Sequence, residues 1–435
     1  MNMVDIIRRK RDGGTLDRVE IEHWIKGMVD RSIPDYQTSA LLMAIFFGSM
    51  SDEETAVLTD VMAHSGTTLD LSDIPGVPVD KHSTGGVGDT TTLVLIPLLA
   101  AAGLTVAKLS GRSLGHTGGT IDKLEAIPGF RTDLSREEFL RLVRETGLAL
   151  ADHTEDMVPA DRILYELRDV TSTVDSLPLI VSSIMSKKIA GGAQAMVIDV
   201  KTGAGAFLPE LDDSRRLATS LVAIGVALGR KISALITDMS QPLGRMVGNA
   251  LEVCEAIDTL AGRGPDDLET LCIELGAELV RAAGLTDDHE KARKKLRQLI
   301  ANGAAIEKLR LMIGNQQGDP RVVDDLSLLP TASRTVDIPA PASGCVRRLN
   351  ALSIGHASSL LGAGRFVKDA AVDPAVGVEL LVKVGETAAA GAPLARLHVN
   401  DAAQLERAVS LVSEAYEIGD VPVEAPGLIV ERVAG

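Results

Sequence analysis

Two glycine-rich segments, residues 80–92 and 108–125, each leave a short strand-like run and enter a helix-like run. Further strand-like runs lie at 105–109, 195–200 and 231–236, separated by helical stretches. Because strands that alternate with helices build βαβ units, this pattern predicts a largely parallel sheet. The carboxyl ends of parallel strands meet at one edge of such a sheet, which is where these folds bind ligands. We therefore expect the glycine-rich loops to form the functional site.

The segments on either side of this pattern have a different character. Ser51 and Glu54 have the spacing of a capping box, and other helices are predicted to begin at Pro34 and at Thr15 or Asp17. Thr120 is predicted to be a helix N-cap, and Pro178 is predicted to interrupt a helical stretch. Residues 378–385 and 393–399 are strand-like, and a packing module explains them better than a biotinyl or lipoyl carrier domain does.

The predicted fold is α/β: a small all-helical domain, a large α/β domain with a mixed, largely parallel sheet, and a C-terminal α+β subdomain. The predicted ranges are 1–68 for the helical domain, 75–154 for the α/β part that carries both glycine-rich loops, 159–190 for a helical insert, 193–336 for the rest of the α/β domain, and 337–435 for the C-terminal subdomain. The residues alone do not show whether the insert belongs with the N-terminal helices.

The composition excludes several classes of protein. The 435 residues include 44 Lys and Arg against 60 Asp and Glu, a net charge of −16, and only 2% are aromatic, so nucleic acid is not an expected partner. Three widely spaced cysteines argue against a disulfide framework and a cysteine zinc site. The longest apolar run, 93–104, is too short to cross a membrane and is predicted to be a core helix. No secretory signal is visible, which favours the cytoplasm.

The first glycine-rich loop combines an amine, hydroxyl groups and an imidazole. Lys81, His82, Ser83 and Thr92 accompany closely spaced glycines before a helix, a combination that suits a bound anion. The segment is neither a Walker loop nor a dinucleotide fingerprint. A tight turn with incidental polar residues is the alternative, but the four side chains together favour an anion site. Lys108 and Ser110 in the second loop strengthen this interpretation, and the inferred ligand is inorganic phosphate or a phosphosugar.

A third group of polar residues lies in the helical insert. Ser183 and Lys187 fall one helical turn apart, and Arg168 precedes them on a neighbouring element. These donors suit a uracil-like ring with two carbonyl groups. A solvated lysine face with structural serines explains the spacing equally well.

Five motifs resemble the thymidine and pyrimidine-nucleoside phosphorylase family. They are KHSTGGVGD at 81–89, SGRSLGHTGGTIDKLE at 110–125, LRDVT at 167–171, SSIMSKKI at 182–189 and DVKTGAGAF at 199–207. The resemblance covers essentially the whole chain. It implies a homodimer in which a small α domain and a large α/β domain close over a cleft and reversibly cleave pyrimidine nucleosides with phosphate. In that arrangement residues 159–190 complete the small domain, and residues 75–154 form the phosphate-binding part of the large one. It implies no organic cofactor.

The resemblance also implies roles for individual residues. The expected phosphate ligands are Lys81, Ser83, Thr92, Lys108, Ser110 and Thr120. The pyrimidine is expected to meet Arg168, Ser183 and Lys187, with His82 close to both substrates, and His82, Arg168 and Lys187 are the expected catalytic residues. Several relatives bind a potassium-like cation, and the matching positions are Gly88, Thr90, Leu243, Met246 and Glu255.

Some positions depart from the family pattern. Met246 replaces a smaller residue, Glu166 replaces Ala, residues 152–154 replace Gly-Gln-Thr, and Ser113 stands where Gly is commoner. None of these changes removes an expected ligand.

Lys108 resembles the broad-specificity members, whereas thymidine-specific members commonly have Met there. The resemblance thus favours uridine, thymidine and 2′-deoxyuridine as substrates in pyrimidine salvage. The alternatives are a thymidine-specific phosphorylase and an inactive nucleoside-binding paralogue. Anthranilate phosphoribosyltransferase is a further alternative, but the set of Arg168, Ser183 and Lys187 does not resemble its site. The archaeal nucleoside-monophosphate phosphorylases are closer than that enzyme, but they carry an extra N-terminal domain.

Overall fold

The computed structural model describes residues 1–112, 118–154, 156–365 and 370–435. The helices in these ranges are α1 (Met3–Arg11), α2 (Arg18–Val29), α3 (Asp35–Gly48), α4 (Asp52–Ala63), α5 (Thr91–Ala101), α6 (Thr120–Glu125), α7 (Arg136–Thr146), α8 (Pro159–Thr171), α9 (Leu177–Ala190), α10 (Leu211–Ala227), α11 (Asn249–Leu260), α12 (Asp266–Ala282), α13 (His289–Ala301), α14 (Ala304–Asn315), α15 (Ala351–Leu360) and α16 (Leu405–Ala415). The strands are β1 (Val79–Ser83), β2 (Val106–Ser110), β3 (Leu148–Asp152), β4 (Ala195–Thr202), β5 (Lys231–Asp238), β6 (Met246–Val247), β7 (Arg334–Pro339), β8 (Gly344–Leu349), β9 (Gly377–Leu380), β10 (Thr387–Ala388), β11 (Pro393–Val399), β12 (Tyr416–Gly419) and β13 (Ile429–Ala434).

The N-terminal helices share a hydrophobic core with α8 and α9. This core surrounds the buried Trp24 and includes Ile163 and Leu179 from the two later helices. Among these N-terminal helices, α2 and α4 begin with complete capping boxes, at Asp17 and at Ser51. The predicted box at Ser51 is confirmed, and of the two predicted starts, Thr15 and Asp17, it is Asp17 that caps the helix. Helix α9 also packs against α10 beside the sheet and therefore touches both parts of the molecule.

The large sheet is mixed and mostly parallel, as predicted. Strands β1, β4 and β5 pair in parallel, and β13 joins β5 in the antiparallel sense. The parallel pair β2–β3 runs beside β1 and is linked to it through the bridge between Pro78 and Thr105. The carboxyl ends of β1, β2 and β3 consequently lie at one edge, next to α9.

A glutamine side chain supports the outer strand of this sheet. Gln316 is buried, and its amide accepts a hydrogen bond from the Leu150 N–H (3.1 Å) and donates to the Leu150 carbonyl (2.7 Å). The side chain thereby satisfies backbone groups of β3 that have no strand beside them. This support holds the middle of β3, two residues before the strand ends at Asp152.

Two expectations about local structure are wrong. Pro178 lies in the first turn of α9, where its missing N–H costs nothing, and the helical stretch is interrupted earlier, at 172–176. Gly119, with an extended backbone, is the N-cap of α6, so Thr120 is the first helical residue instead of the cap.

The C-terminal part forms two small antiparallel sheets with α15 and α16. One sheet has the order β6-β9-β11-β7 and the other β10-β8-β12. The chain then returns to the large sheet as β13, so the last strand belongs to the α/β core. The three cysteines are free, and none of the helices in the described ranges is long and apolar enough to cross a membrane.

A buried ion pair in the helical domain gives a stability prediction. Lys10 Nζ donates to both carboxylate oxygens of Glu54, at 2.8 and 2.9 Å, and both side chains are almost fully buried. Lys10→Met should lower the free energy of unfolding of this domain by about 3–5 kcal/mol, because it leaves a buried carboxylate without its cation. Urea unfolding followed by the fluorescence of Trp24, the sole tryptophan, measures this domain directly.

The exposed residue Lys26 supplies the matched control, since Lys26→Met removes a charge without exposing a buried partner. The double variant Lys10→Met/Glu54→Gln should regain part of the loss, because the introduced amide carries no charge and its single oxygen can still accept the Ser51 N–H of the capping box. An unchanged unfolding midpoint for Lys10→Met would contradict this account of the pair.

Candidate active site

A cavity of about 340 Å³ lies at the carboxyl edge of the large sheet, between the glycine-rich loops and α9. All six residues expected to bind phosphate line it: Lys81, Ser83, Thr92, Lys108, Ser110 and Thr120. His82 and Lys187 line it as well. The motif residues 113–117, with the departure from the family pattern at Ser113, lie outside the described residues.

Lys81 is held on one face of β1 by buried acidic and hydroxyl groups. Its Nζ donates to Thr91 Oγ1 at 2.5 Å and lies 3.6 Å from Asp89 Oδ1 and 3.9 Å from Asp199 Oδ2. Burial alone would raise the pKa of Asp89, but the ammonium groups around it, led by Lys81 and Lys201, hold that pKa well below its ordinary value. Asp89 is therefore an anion, and it keeps the Lys81 ammonium beside the cavity.

A second layer of charge lies beneath this contact. Lys201 Nζ is 2.7 Å from Asp199 Oδ2, and both side chains are fully buried. Thr237 donates to the other carboxylate oxygen of Asp199 at 2.6 Å. Burial opposes charge on Lys201, yet Asp199 and Asp89 raise its pKa, so the chain of alternating charges continues from Lys81 into the core.

On the opposite face of β1, one carboxylate joins two ammonium groups. Asp80 Oδ1 accepts from Lys108 Nζ at 2.8 Å, and Asp80 Oδ2 is 2.8 Å from Lys188 Nζ. Lys108 also donates to the Lys81 carbonyl at 2.5 Å. Burial opposes ionisation of Asp80, but the two lysines lower its pKa to about 2, whereas burial lowers the pKa of Lys108 to about 7.

Two histidines adjoin this group of lysines. Burial lowers the pKa of His82 well below its ordinary value, and Lys188 and Lys108 lower it further. Burial and the same lysines, together with Lys187, lower the pKa of His153 to about 3. Both rings are thus neutral at pH 7, and His82 can donate a hydrogen bond to a substrate without carrying an extra proton.

The residues expected to bind the pyrimidine are only partly brought together. Lys187 is one-third exposed, lines the cavity and donates to Asp161 Oδ2 (2.7 Å) and Ser183 Oγ (3.4 Å), which fits the predicted one-turn spacing. Ser183 itself is buried beside it and is not part of the cavity lining.

Arg168 is turned away from the cavity and donates to three backbone carbonyls. The acceptors are Thr173 (3.3 Å), Leu179 (3.1 Å) and Val174, all in or near the connection between α8 and α9. Its side chain is buried and does not line the cavity. In this conformation Arg168 fixes the connection that leads into α9, and its role toward a pyrimidine stays a prediction.

The residues expected to bind a cation lie together beside the first glycine-rich loop, to which Gly88 and Thr90 belong. A Cβ on Gly88, which has a positive φ, would lie 2.4 Å from the Leu243 carbonyl oxygen and 3.1 Å from that of Met246. Thr90 Oγ1 is 3.3 Å from the Gly88 carbonyl oxygen. Glu255 accepts the Arg245 N–H with one oxygen, while its other oxygen is buried without a partner. Burial, with Glu252 and Asp267 nearby, raises the pKa of Glu255 to about 8.

Three further residues of the site, Asp80, Thr91 and Lys188, were not predicted from the sequence. Alternation along β1 could have indicated Asp80, because residues 80 and 82 share one face of a strand while 81 and 83 share the other. Lys188 directly follows Lys187 in the chain, but its partner lies on a different element. No local pattern therefore pointed to it.

Family models cover most of the chain. Residues 4–66 match the helical bundle domain of the glycosyl transferase family, and residues 76–306 match its a/b domain. Residues 345–419 match the pyrimidine nucleoside phosphorylase C-terminal domain. The a/b match spans α8 and α9, although these helices share a core with the N-terminal helices.

Relatives named pyrimidine-nucleoside phosphorylase match at full length. The one from Staphylococcus haemolyticus is 53% identical over 96% of each chain, and the one from Geobacillus stearothermophilus is 50% identical over 100% of each. The one from Bacillus subtilis is 52% identical over 98% of this chain and 97% of its own. Anthranilate phosphoribosyltransferase from Thermus thermophilus has a similar fold, with a TM-score of 0.59 and 18% identity over 72% of this chain and 99% of its own.

Thr91 provides a test of the anion site. Its hydroxyl accepts from Lys81 and donates to Asp89 Oδ1 at 2.5 Å. Thr91→Val should weaken binding of inorganic phosphate by about tenfold or more, since hydrogen bonds to charged groups contribute about 1.5–3 kcal/mol. Thr91→Ser retains the hydroxyl and should bind nearly as the native chain does. Isothermal titration calorimetry with phosphate measures both, and equal affinity of the valine variant would contradict the proposed placement of Lys81.

Proposed function

Since the chain belongs to the pyrimidine-nucleoside phosphorylase family, we propose that it cleaves uridine, thymidine and 2′-deoxyuridine with inorganic phosphate. The chain is a pentosyltransferase that phosphorolyses pyrimidine nucleosides, and the products are free base and ribose or deoxyribose 1-phosphate. The breadth of substrate is supported by Lys108, the residue found in broad-specificity members. The observation that carries the proposal is that Lys108 and Lys187 line one cavity.

The charges in this cavity suit the reaction. Breaking the bond between C1′ and the ring nitrogen builds positive charge on the sugar and negative charge on the departing pyrimidine. A phosphate dianion beside Lys81 and Lys108 stabilises the sugar cation, and one of its oxygens forms the new bond to C1′. The electron pair of the broken bond leaves with the base. The ring nitrogen then takes up a proton, which balances the one that the hydrogen phosphate loses when its oxygen becomes bonded to C1′.

Lys187 is placed to stabilise the departing base. Its ammonium is partly exposed to the cavity and is oriented by Asp161 and Ser183. A fixed donor of this kind contributes about 3 kcal/mol to transition-state stabilisation. His82, being neutral, is better suited to hold a substrate hydroxyl or carbonyl group than to act as a strong acid. Closure of the helical domain over the sheet would exclude water and bring the nucleoside to the phosphate.

The function is tested by following the ultraviolet change of uridine, thymidine and 2′-deoxyuridine with and without phosphate. We expect phosphate-dependent release of base from all three. Lys187→Ala should lower kcat by about 100-fold or more while leaving the protein folded. Lys291→Ala, at a side chain that is 78% exposed, is the matched control and should act as the native chain does.

Three outcomes would contradict parts of this proposal. Cleavage of thymidine alone would indicate a thymidine-specific enzyme. Binding of nucleosides without release of base would indicate an inactive paralogue. Near-native turnover by a folded Lys187→Ala variant would remove Lys187 from the stabilisation of the base.

We also propose that Gly88, Thr90, Leu243, Met246 and Glu255 hold a potassium ion. Carbonyl, hydroxyl and carboxylate oxygens are the ligands that a hard cation prefers, and the unpartnered buried oxygen of Glu255 is a ligand of this kind. A bound potassium ion would supply charge that orders the first glycine-rich loop, since Gly88 belongs to that loop.

Potassium binding should depend on pH because of Glu255. Its pKa of about 8 keeps the carboxyl group protonated at neutral pH, and a cation must displace that proton. The KCl concentration that gives half of the maximal rise in Tm should therefore fall as pH increases from about 6.5 to about 8.5. Glu255→Gln should abolish this dependence on pH, and choline chloride serves as the control salt. A potassium effect that is equal at all pH values would contradict the assignment of Glu255.

The homodimer and the cytoplasmic location are further parts of the proposal. The outer side of α3 exposes apolar side chains, with Phe47 at 82% and Tyr36 at 74%, which suits burial against a second copy of the chain. Three free cysteines suit a reducing compartment. Sedimentation of the purified protein measures the oligomeric state.

A further inference from the structure

Lys188 lies one residue after Lys187 on α9, yet its side chain takes a different direction and reaches the sheet. Its Nζ is 2.8 Å from Asp80 Oδ2, and both residues are 6% exposed. The other oxygen of Asp80 holds Lys108 Nζ at 2.8 Å. One buried carboxylate thus connects an ammonium group on β2 with one on α9.

This triad carries an excess of positive charge that fold stability does not explain. Buried ion pairs contribute little net stability, because removing charges from water offsets their attraction. Two buried lysines that share one carboxylate are less favourable still, since one charge is unbalanced whenever both are protonated, and burial together with Lys188 accordingly lowers the pKa of Lys108 to about 7. Lys108 and Lys188 both line the cavity, so an anion bound there would supply the missing negative charge.

We propose that Lys188 is a positioning residue, which through Asp80 sets the location and charge of Lys108 in the phosphate site. The same contact ties α9, the helix that presents Lys187 to the base, to the strand that begins the phosphate loop. This inference rests on the proposed phosphorylase function and adds to it a link between the two halves of the site.

The charged groups that face Lys108 determine how its protonation responds. They are Asp80 and Lys81 from β1 and Lys188 from α9, with His82 and His153 as neutral neighbours. Asp80 raises the pKa of Lys108, while burial, Lys188 and Lys81 lower it to about 7. Removing Lys188 should therefore raise the pKa of Lys108, and removing the charge of Asp80 should lower it.

The opposite signs of these two shifts provide the test. Isothermal titration calorimetry with inorganic phosphate, from about pH 6 to about pH 9, gives the pH at which affinity declines as Lys108 loses its proton. Relative to the native chain, Lys188→Met should move that pH upward and Asp80→Asn should move it downward, each by about one unit. The titration of phosphate itself is common to all variants and cancels in the comparison.

Kinetic parameters give a second readout. Lys188→Met should raise the KM for phosphate by about tenfold, as loss of a hydrogen-bonded charge near a ligand does. Lys188→Arg keeps the cation and should restore most of the affinity. The fluorescence of Trp24 verifies that each variant is folded, and Lys291→Met is the exposed control.

The results separate this inference from the proposed function. If the native chain binds phosphate and cleaves nucleosides but the pH profiles of both folded variants coincide with its own, the positioning role of Lys188 is wrong and the function stands. Native-like phosphate affinity of Lys188→Met at every pH would also overturn the role. A native chain that binds no phosphate would overturn both.

Discussion

Buried lysines and buried aspartates alternate beneath the cavity, and this balance of charge is the constraint on which the site depends. A lone ammonium group in the protein interior would lose its proton or disrupt the packing around it. The carboxylates of Asp80, Asp89 and Asp199 lie beside the lysines of β1, β2 and α9 and oppose that loss, although burial still lowers the pKa of Lys108 to about 7. Their carboxylates hold the ammonium groups at the sheet edge but do not neutralise all of them. What remains is an excess of positive charge that suits a phosphate dianion.

The fold maintains this balance of charge because strand β1 and helix α9 fix the positions of the charged side chains. Alternation along β1 directs Asp80 toward β2 and α9 and directs Lys81 toward α5 and β4. Helix α9 contributes to the core of the helical domain and also packs beside the sheet. The two lysines at its end can therefore serve different partners: Lys187 pairs with Asp161 of the helical core, and Lys188 pairs with Asp80 of the sheet. Movement of the helical domain would shift both together.

Much of this architecture could be predicted from the sequence, where the signals are local. The capping box at Ser51, the helix start near Asp17, the strands before the glycine-rich loops and the mixed sheet all follow from short patterns. The parts that could not be predicted depend on contacts between distant segments. Strand β13 closes the sheet against β5, which lies far earlier in the sequence, and Asp80 meets Lys188 across two elements. Arg168 likewise donates its hydrogen bonds to carbonyl groups in and near the connection before α9. No pattern of residues in the sequence predicts this contact.

The central claim is that the phosphate group and the base meet in one cavity, between the lysines of the sheet edge and Lys187. A crystal structure of the protein with inorganic phosphate and uracil tests this most directly. The account predicts phosphate oxygens within hydrogen-bond distance of Lys108 Nζ and Ser110 Oγ, with a uracil carbonyl facing Lys187 Nζ. Phosphate bound away from the sheet edge, or Lys187 directed away from uracil in the closed protein, would contradict it.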